Sequence, residues 1–332
     1  MKKKIFVDGS TGTTGLEINQ RLSRYKNIEV IKIDYDKRRD IKERERILNE
    51  ADLVFLCLPD DAARESVSLV SNPDTKIIDA STAHRTASGW TYGLPELSLT
   101  HREAIKSSKR VSNPGCHATA FVLSLYPLIH HNIMAGDYPV SCQSITGYSG
   151  GGKSLIEKYE AVGDDNPYKK APRPYSLALN HKHLNEMMVQ TGLTSHPVFL
   201  PIVADFYRGL ATFCPIHTRL LNKKLTGKEI HSLISEHYKN DFFVNVMPFI
   251  DEISIKDSNI NSAVPSEGYL FDGGLDITAC NNTNKADIFV VGNDSKDMAM
   301  IITRLDNLGK GASGAAIQNM NIMLGFEESM NL

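Results

Sequence analysis

The stretch Lys4-Ile5-Phe6-Val7-Asp8-Gly9-Ser10-Thr11-Gly12-Thr13-Thr14-Gly15 limits the possible folds more than any other part of the chain. A short apolar strand pattern runs into glycines spaced G-x-x-G-x-x-G, and a helical pattern through Leu16, Ile18 and Leu22 follows at once. Strand, glycine turn and helix opening in that order form the fingerprint of a βαβ unit that binds a dinucleotide. Gly9 and Gly12 let backbone approach a pyrophosphate, and a helix beginning near Thr13 offers it unpaired N–H groups. Gly9, Thr11, Gly12, Thr13, Thr14 and Gly15 are therefore candidate cofactor residues; a purely structural βα turn is the bland alternative.

The next segments repeat the alternation. Glu29 to Asp34 is a second strand, with Asp34 or Asp36 placed to take a ribose 2′-hydroxyl and Lys37-Arg38-Arg39 placed to clamp a 2′-phosphate. Three adjacent cations outweigh a carboxylate set slightly earlier, so NADP, with Arg38 as its contact, is preferred over NAD; a solvated basic face is the competing reading. Ala51 to Pro59 is a near-continuous apolar run, the pattern of a parallel strand covered on both faces. Lys76 to Thr82 is a further strand whose exit loop carries Ser81, Thr82, His84 and Arg85, and ligands in such sheets bind at the carboxyl ends of strands. Arg85 is thus either a contact for cofactor or anionic substrate, or a plain surface arginine. The class expected is α/β, with a Rossmann-type doubly wound nucleotide domain first.

After that domain comes Asn113-Pro114-Gly115-Cys116, followed by an apolar run from Phe121 to Leu128 with a period near 3.6. Pro114 and Gly115 break the backbone, which predicts Cys116 at or near a helix N-terminus. The positive end of the helix favours a thiolate, the nucleophilic form of cysteine, and its N–H groups can hold an oxyanion. A buried structural cysteine is the alternative. Beside a nicotinamide, a reactive thiol has one common use: it traps an acyl group as a thioester that hydride reduces, or the reverse. The five cysteines are widely spaced, with no C-x-x-C pair, which argues against a zinc site or disulfide framework and for a reducing, cytoplasmic compartment. A net charge of -2 gives no reason to invoke nucleic acid, and no apolar stretch is long enough for a membrane span or a signal peptide. At 332 residues the chain has room for a second domain.

Three of these stretches, Gly9 to Gly15, Gly93-Leu94-Pro95-Glu96-Leu97 and Asn113-Pro114-Gly115-Cys116-x-x-Thr119, together resemble the N-acetyl-γ-glutamyl-phosphate reductases, which share a wider group with aspartate-semialdehyde dehydrogenase. The resemblance runs from residue 5 to 326 and includes Gly147 to Lys153, His181-Lys182-His183-Leu184-Asn185-Glu186 and Lys310 to Asn321. It implies a nucleotide domain of residues 1–115 and 302–332, and an α+β catalytic and dimerisation domain of residues 116–301 on a mostly antiparallel sheet. A C-terminal helix from about Ala312 to Leu324 returns to the nucleotide domain. His117 departs from the family pattern, where an aromatic residue is commoner, a tolerable change because the side chain after the nucleophile need not do chemistry.

The resemblance also assigns roles. Cys116 is the nucleophile and His181 its acid/base partner, histidine being the side chain poised near neutral pH. Tyr175, His183 and Glu186 line the substrate side. Ser149, Gly150, Gln318 and Asn319 approach the cofactor, and Lys153 is a further candidate for the acyl phosphate. Arg208 is a candidate for a substrate carboxylate, which a guanidinium fork matches. No metal is expected. The activity implied is NADPH-dependent reduction of N-acetyl-γ-glutamyl phosphate to its semialdehyde, in arginine biosynthesis, by a homo-oligomer (dimer or tetramer). The alternatives are a related reductase of aspartyl phosphate or carrier-linked aminoadipyl phosphate, and a non-catalytic NADP-binding sensor.

Overall fold

A computed structural model describes residues 2–163, 166–250 and 274–332. The chain divides into two compact units, Met1–Gly115 with Gly311–Leu332, and Cys116–Lys310.

In the first unit six strands form one sheet: β1 (Lys3–Asp8), β2 (Ile28–Ile31), β3 (Leu53–Leu56), β4 (Lys76–Asp79), β5 (Thr91–Tyr92) and β6 (Arg110–Ser112). Their order is β2-β1-β3-β4-β6-β5, and every pairing is parallel. Because side chains alternate along a strand, the sheet feeds two cores. Ile5, Val7, Leu53 and Phe55 face one side, with Ile18 and Leu22 of the helix Thr13–Leu22 and Ile317 and Met320 of the helix Gly314–Leu324. Phe6, Val54 and Leu56 face the other, with Ile47 and Leu48 of the helix Ile41–Glu50. Each such residue contributes about 1.5–3 kcal/mol by leaving water, which is why β3 reads as an unbroken apolar run. The chain leaves β1 to one side for β2 and to the other for β3, so a crevice opens at the carboxyl ends of β1 and β3, where Gly9 begins its turn.

Among the described residues the second unit is built on seven strands: β7 (Ser141–Gly147), β8 (Arg173–Pro174), β9 (Val198–Ala204), β10 (Leu210–His217), β11 (Val244–Val246), β12 (Ala286–Asn293) and β13 (Met298–Leu305), in the order β11-β12-β13-β10-β7-β9-β8. This sheet is mixed, not mostly antiparallel as expected. β7 pairs with β9, and β11 with β12, in parallel. β7 and β9 are joined through a long excursion that includes the helices Gly152–Glu160 and Leu184–Thr191, and such connections bring strands back in the same direction. The return to the first unit falls at Gly311 rather than 302, because β13 is hydrogen-bonded along its whole length to β10 and β12. The helix Cys116–His130 is apolar nearly all round and packs on β10 and β13, with Phe121, Val122, Leu123 and Leu125 fully buried.

Candidate active site

The nucleotide turn has two different glycines. Gly9 has φ +86°, and a Cβ there would lie 2.2 Å from the Cys57 carbonyl oxygen, so only glycine fits. Gly12 has an ordinary φ of -76° and stands as the N-cap of the helix Thr13–Leu22, whose N–H groups no side chain caps. A Cβ on Gly12 would meet nothing nearer than the Gly9 carbonyl at 3.6 Å. With Ser10, Thr11 and Gly12 exposed, and Thr13, Thr14 and Gly15 opening the helix behind them, the loop is an open anion cradle that fits a pyrophosphate. Lys37, Arg38 and Arg39 follow β2 and are exposed, as is Asp34.

The other candidates in this unit are engaged in hydrogen bonds within it. Ser81 is buried, with its hydroxyl (2.7 Å) and amide (2.9 Å) both donating to the Asp79 carboxylate. Arg85 is buried, not a surface arginine, and its guanidinium donates to the carbonyls of Asn113 (3.0 Å) and Ala80 (3.1 Å). It thereby ties the loop after β4 to the turn that precedes Cys116. Gln318 donates to Glu96 and Glu328, both at 2.8 Å. Asn319 donates to the Gly93 carbonyl at 2.9 Å, while its own Oδ1 is buried and accepts no hydrogen bond. A buried acceptor left open in this way suits the carboxamide N–H of a nicotinamide.

In the second unit Cys116 is the first residue of the helix Cys116–His130 and is half-buried. Around it gather rings from three other segments. His117 meets His181 edge to face at 5.5 Å between centroids and His183 at 5.7 Å, and His181 lies 4.7 Å from His183. Phe199 of β9 packs its ring against both His117 (5.3 Å) and His181 (5.2 Å). Tyr175 lies 5.8 Å from His181, and its phenol is pushed up first by burial and then by the neighbouring Cys116. The His183 amide donates to His181 Nδ1 at 3.2 Å, so a neutral His181 carries its proton on Nε2. Half-exposed, that ring can exchange protons with solvent. Glu186 is buried in the first turn of the helix Leu184–Thr191.

His117, read from sequence as a tolerated substitution, is the centre of this cluster. Its Nδ1 lies 2.8 Å from Ser144 Oγ on β7 and its Nε2 3.0 Å from Tyr175 Oη. Burial, and then His181 and Lys182, push the imidazole down to about 3. The available signal was a polar ring placed directly after Cys116 in an otherwise small or apolar helix start.

Other candidates of this unit lie in its loops. Ser149 is buried and its hydroxyl accepts from Asn307 at 2.9 Å, whereas Gly150 is exposed. Arg208 donates to Asn282 (2.8 Å) and pairs with the buried Asp306 (3.3 Å). Lys153 points to solvent beside Glu157. Among the described residues no group of three or more His, Cys, Asp or Glu is placed to hold a metal ion.

Two family descriptions match the chain: "Semialdehyde dehydrogenase, NAD binding domain" over residues 4–108, and "Semialdehyde dehydrogenase, dimerisation domain" over residues 116–307. A Nostoc sp. protein named N-acetyl-gamma-glutamyl-phosphate reductase 2 is 45% identical, covering 100% of this chain and 99% of the relative. The chain belongs to the N-acetyl-γ-glutamyl-phosphate reductase family. A member from Chelativorans sp. is 42% identical over 98% of this chain and 99% of its own. The fold is that of solved aspartate semialdehyde dehydrogenases. The Francisella tularensis structure aligns at a TM-score of 0.69 with 16% identity, over 98% of this chain and 100% of that one. The Candida albicans structure with NADP aligns at 0.60 with 12% identity, over 98% and 99%.

Proposed function

We propose that the protein reduces N-acetyl-γ-glutamyl phosphate to N-acetylglutamate 5-semialdehyde and phosphate at the expense of NADPH, as a step of arginine biosynthesis. The observation that carries this reading is Cys116 at a helix start among His181, His183 and Tyr175, in a chain 45% identical from end to end to a reductase of that name.

Cys116 as thiolate attacks the acyl carbon; the C–S bond forms, the C–O bond to phosphate breaks, and a thioester remains on the enzyme. When bound, the cofactor supplies the hydride that reduces the thioester. The helix N–H groups and His181 Nε2–H donate to the oxyanion that develops at the acyl carbon. Collapse of the Cys116 hemithioacetal expels aldehyde and restores the thiolate, so the one proton the reaction consumes ends on the released phosphate. Exchange of the half-exposed His181 with solvent provides a route for it. The Gly9–Gly15 turn would hold the pyrophosphate, Arg38 the 2′-phosphate, and Asn319 Oδ1 the nicotinamide carboxamide; in the second unit Ser149 and Gly150 are further cofactor residues. His183, Glu186, Tyr175 and Arg208 frame the substrate. Arg85 acts by holding the Asn113 turn.

The first unit is the nucleotide domain and the second the catalytic and dimerisation domain of a cytoplasmic homo-oligomer, dimer or tetramer. The match to a dimerisation domain supports assembly, and among the described residues no helix is long and apolar enough to cross a membrane. Phosphate-dependent oxidation of N-acetylglutamate semialdehyde, measured with NADP and with NAD, tests the reading. Turnover with aspartate semialdehyde instead would refute it.

A further inference from the structure

His117 has both ring nitrogens on side-chain oxygens, and a third contact sets the direction of both bonds. Ser144 Oγ, besides facing His117 Nδ1, lies 3.1 Å from the Ala211 carbonyl oxygen on β10. A carbonyl only accepts, so the single Ser144 hydroxyl proton points to it, and Oγ is left to accept from Nδ1–H. A neutral imidazole has one proton, so Nε2 is bare and takes the proton of the Tyr175 hydroxyl 3.0 Å away. The reverse polarity would leave two buried oxygens 3.1 Å apart with no proton between them. Burial keeps the ring neutral well below physiological pH, so the arrangement holds wherever the enzyme works.

We propose that His117 is a positioning residue for the reaction: held as the Nδ1–H tautomer, it fixes the Tyr175 hydroxyl proton, so that the phenol meets the substrate beside Cys116 as a hydrogen-bond acceptor only. This rests on the function proposed above and adds a selection rule to it. An acceptor at that place favours an acyl group carrying an N–H donor, which an N-acylated amino acid offers through its amide, over one with a methylene there. The chain runs Tyr175 to His117 to Ser144 to Ala211, and it anchors a half-buried tyrosine on a short edge of the sheet to the rigid β7/β10 pair. No proton leaves the chain during turnover; it acts on where the Tyr175 oxygen sits and which way its lone pairs face.

The test has two arms. Nitrogen-15 NMR of imidazole-labelled protein without substrate reads the tautomer: Nδ1 protonated, Nε2 bare, unchanged across neutral pH. A His117 signal protonated at Nε2, or titrating near neutrality, overturns the proposal. In the kinetic arm, H117F fills the ring's volume without an acceptor, and H117Q offers a carbonyl near the place of Nε2. With N-acetylglutamate semialdehyde, H117F is expected to raise KM about tenfold, the equivalent of one hydrogen bond of about 1.4 kcal/mol, with kcat little changed, and H117Q to recover most of it. With glutarate semialdehyde, which lacks the amide, the same substitution leaves KM where it was. Y175F gives the same KM increase, and H117F added to it gives no more. Additive effects, or a loss confined to kcat, refute the proposal. Should H117F fail to fold, H117Q and the wild-type spectrum decide. Absence of turnover with N-acetylated substrate would overturn the assigned function, whereas the substrate-free spectrum bears on His117 alone.

Discussion

Gly9 and Gly12 sit three residues apart in one turn, yet the structure gives alanine at each a different failure. At Gly9 the positive φ alone costs about 1–2 kcal/mol for a residue with a Cβ. That Cβ would stand 2.2 Å from a backbone carbonyl, an overlap that no side-chain rotation relieves. Gly9→Ala is therefore expected to destabilise the first unit by at least about 3 kcal/mol, in the range reserved for backbone strain plus overpacking. At Gly12 the dihedrals suit alanine and the nearest atom is 3.6 Å away. A weaker N-cap and a less flexible unfolded chain offset one another, so Gly12→Ala should change stability by less than about 1 kcal/mol. The added methyl, however, occupies the open side of the cradle, and NADPH affinity should fall at least about tenfold, or about 1.4 kcal/mol. Trp90, the chain's only tryptophan, packs against the core of the first unit and reports its unfolding in denaturant without interference from the second. NADPH binding is followed separately by equilibrium dialysis. If Gly12→Ala binds NADPH like wild type, the pyrophosphate does not lie over that turn; if Gly9→Ala unfolds like wild type, the left-handed geometry is not required.

Cys116→Ser should retain NADPH binding and lose at least about a thousandfold in turnover, because an alkoxide is far harder to form than a thiolate; wild-type turnover in single-turnover assays would remove the thioester from the mechanism. Arg38→Ala should cut the preference for NADPH over NADH about tenfold, read as the ratio of kcat/KM values, while leaving the NADH value close to wild type. His117 sets an acid limit on stability. Its folded pKa of about 3 lies below the unfolded value near 6.5, so the unfolded chain alone takes up this proton as pH falls between them. The stability difference between wild type and H117F should shrink by about 1.4 kcal/mol per pH unit below 6.5 and level off near 3, measured by denaturant titration with circular dichroism; parallel curves would show that the ring titrates normally.

The parts of the fold that repeat a local rule were legible in the sequence. β1, its glycine turn and the next helix occupy consecutive residues, and β3 is apolar throughout because both its faces are covered, so periodicity alone located them. Cys116 was placed at a helix start by Pro114 and Gly115. What could not be read was set by long-range pairing. The parallel β7/β9 register depends on where the chain goes between residues 147 and 198, and β13 belongs to the second sheet because of partners at 210–217 and 286–293. Arg85 and Ser81 read as ligand contacts because they lie on an exit loop; their hydrogen bonds to Asn113 and Asp79 were not legible there. The same holds for His117, whose partners Ser144 and Tyr175 lie 27 and 58 residues away.

The helix Gly314–Leu324 places Ile317, Met320 and Met323 in the same core as Ile5, Val7 and Ile18. A ribosome making this chain therefore emits the whole second unit before the segment that finishes the first. The nascent N-terminal sheet must wait with an apolar face uncovered, and its completion is a loop closure spanning nearly two hundred intervening residues. Anything that stalls synthesis after residue 310 leaves a complete second unit tethered to a first unit whose sheet still lacks this helix, the state in which a holding chaperone has most to grip.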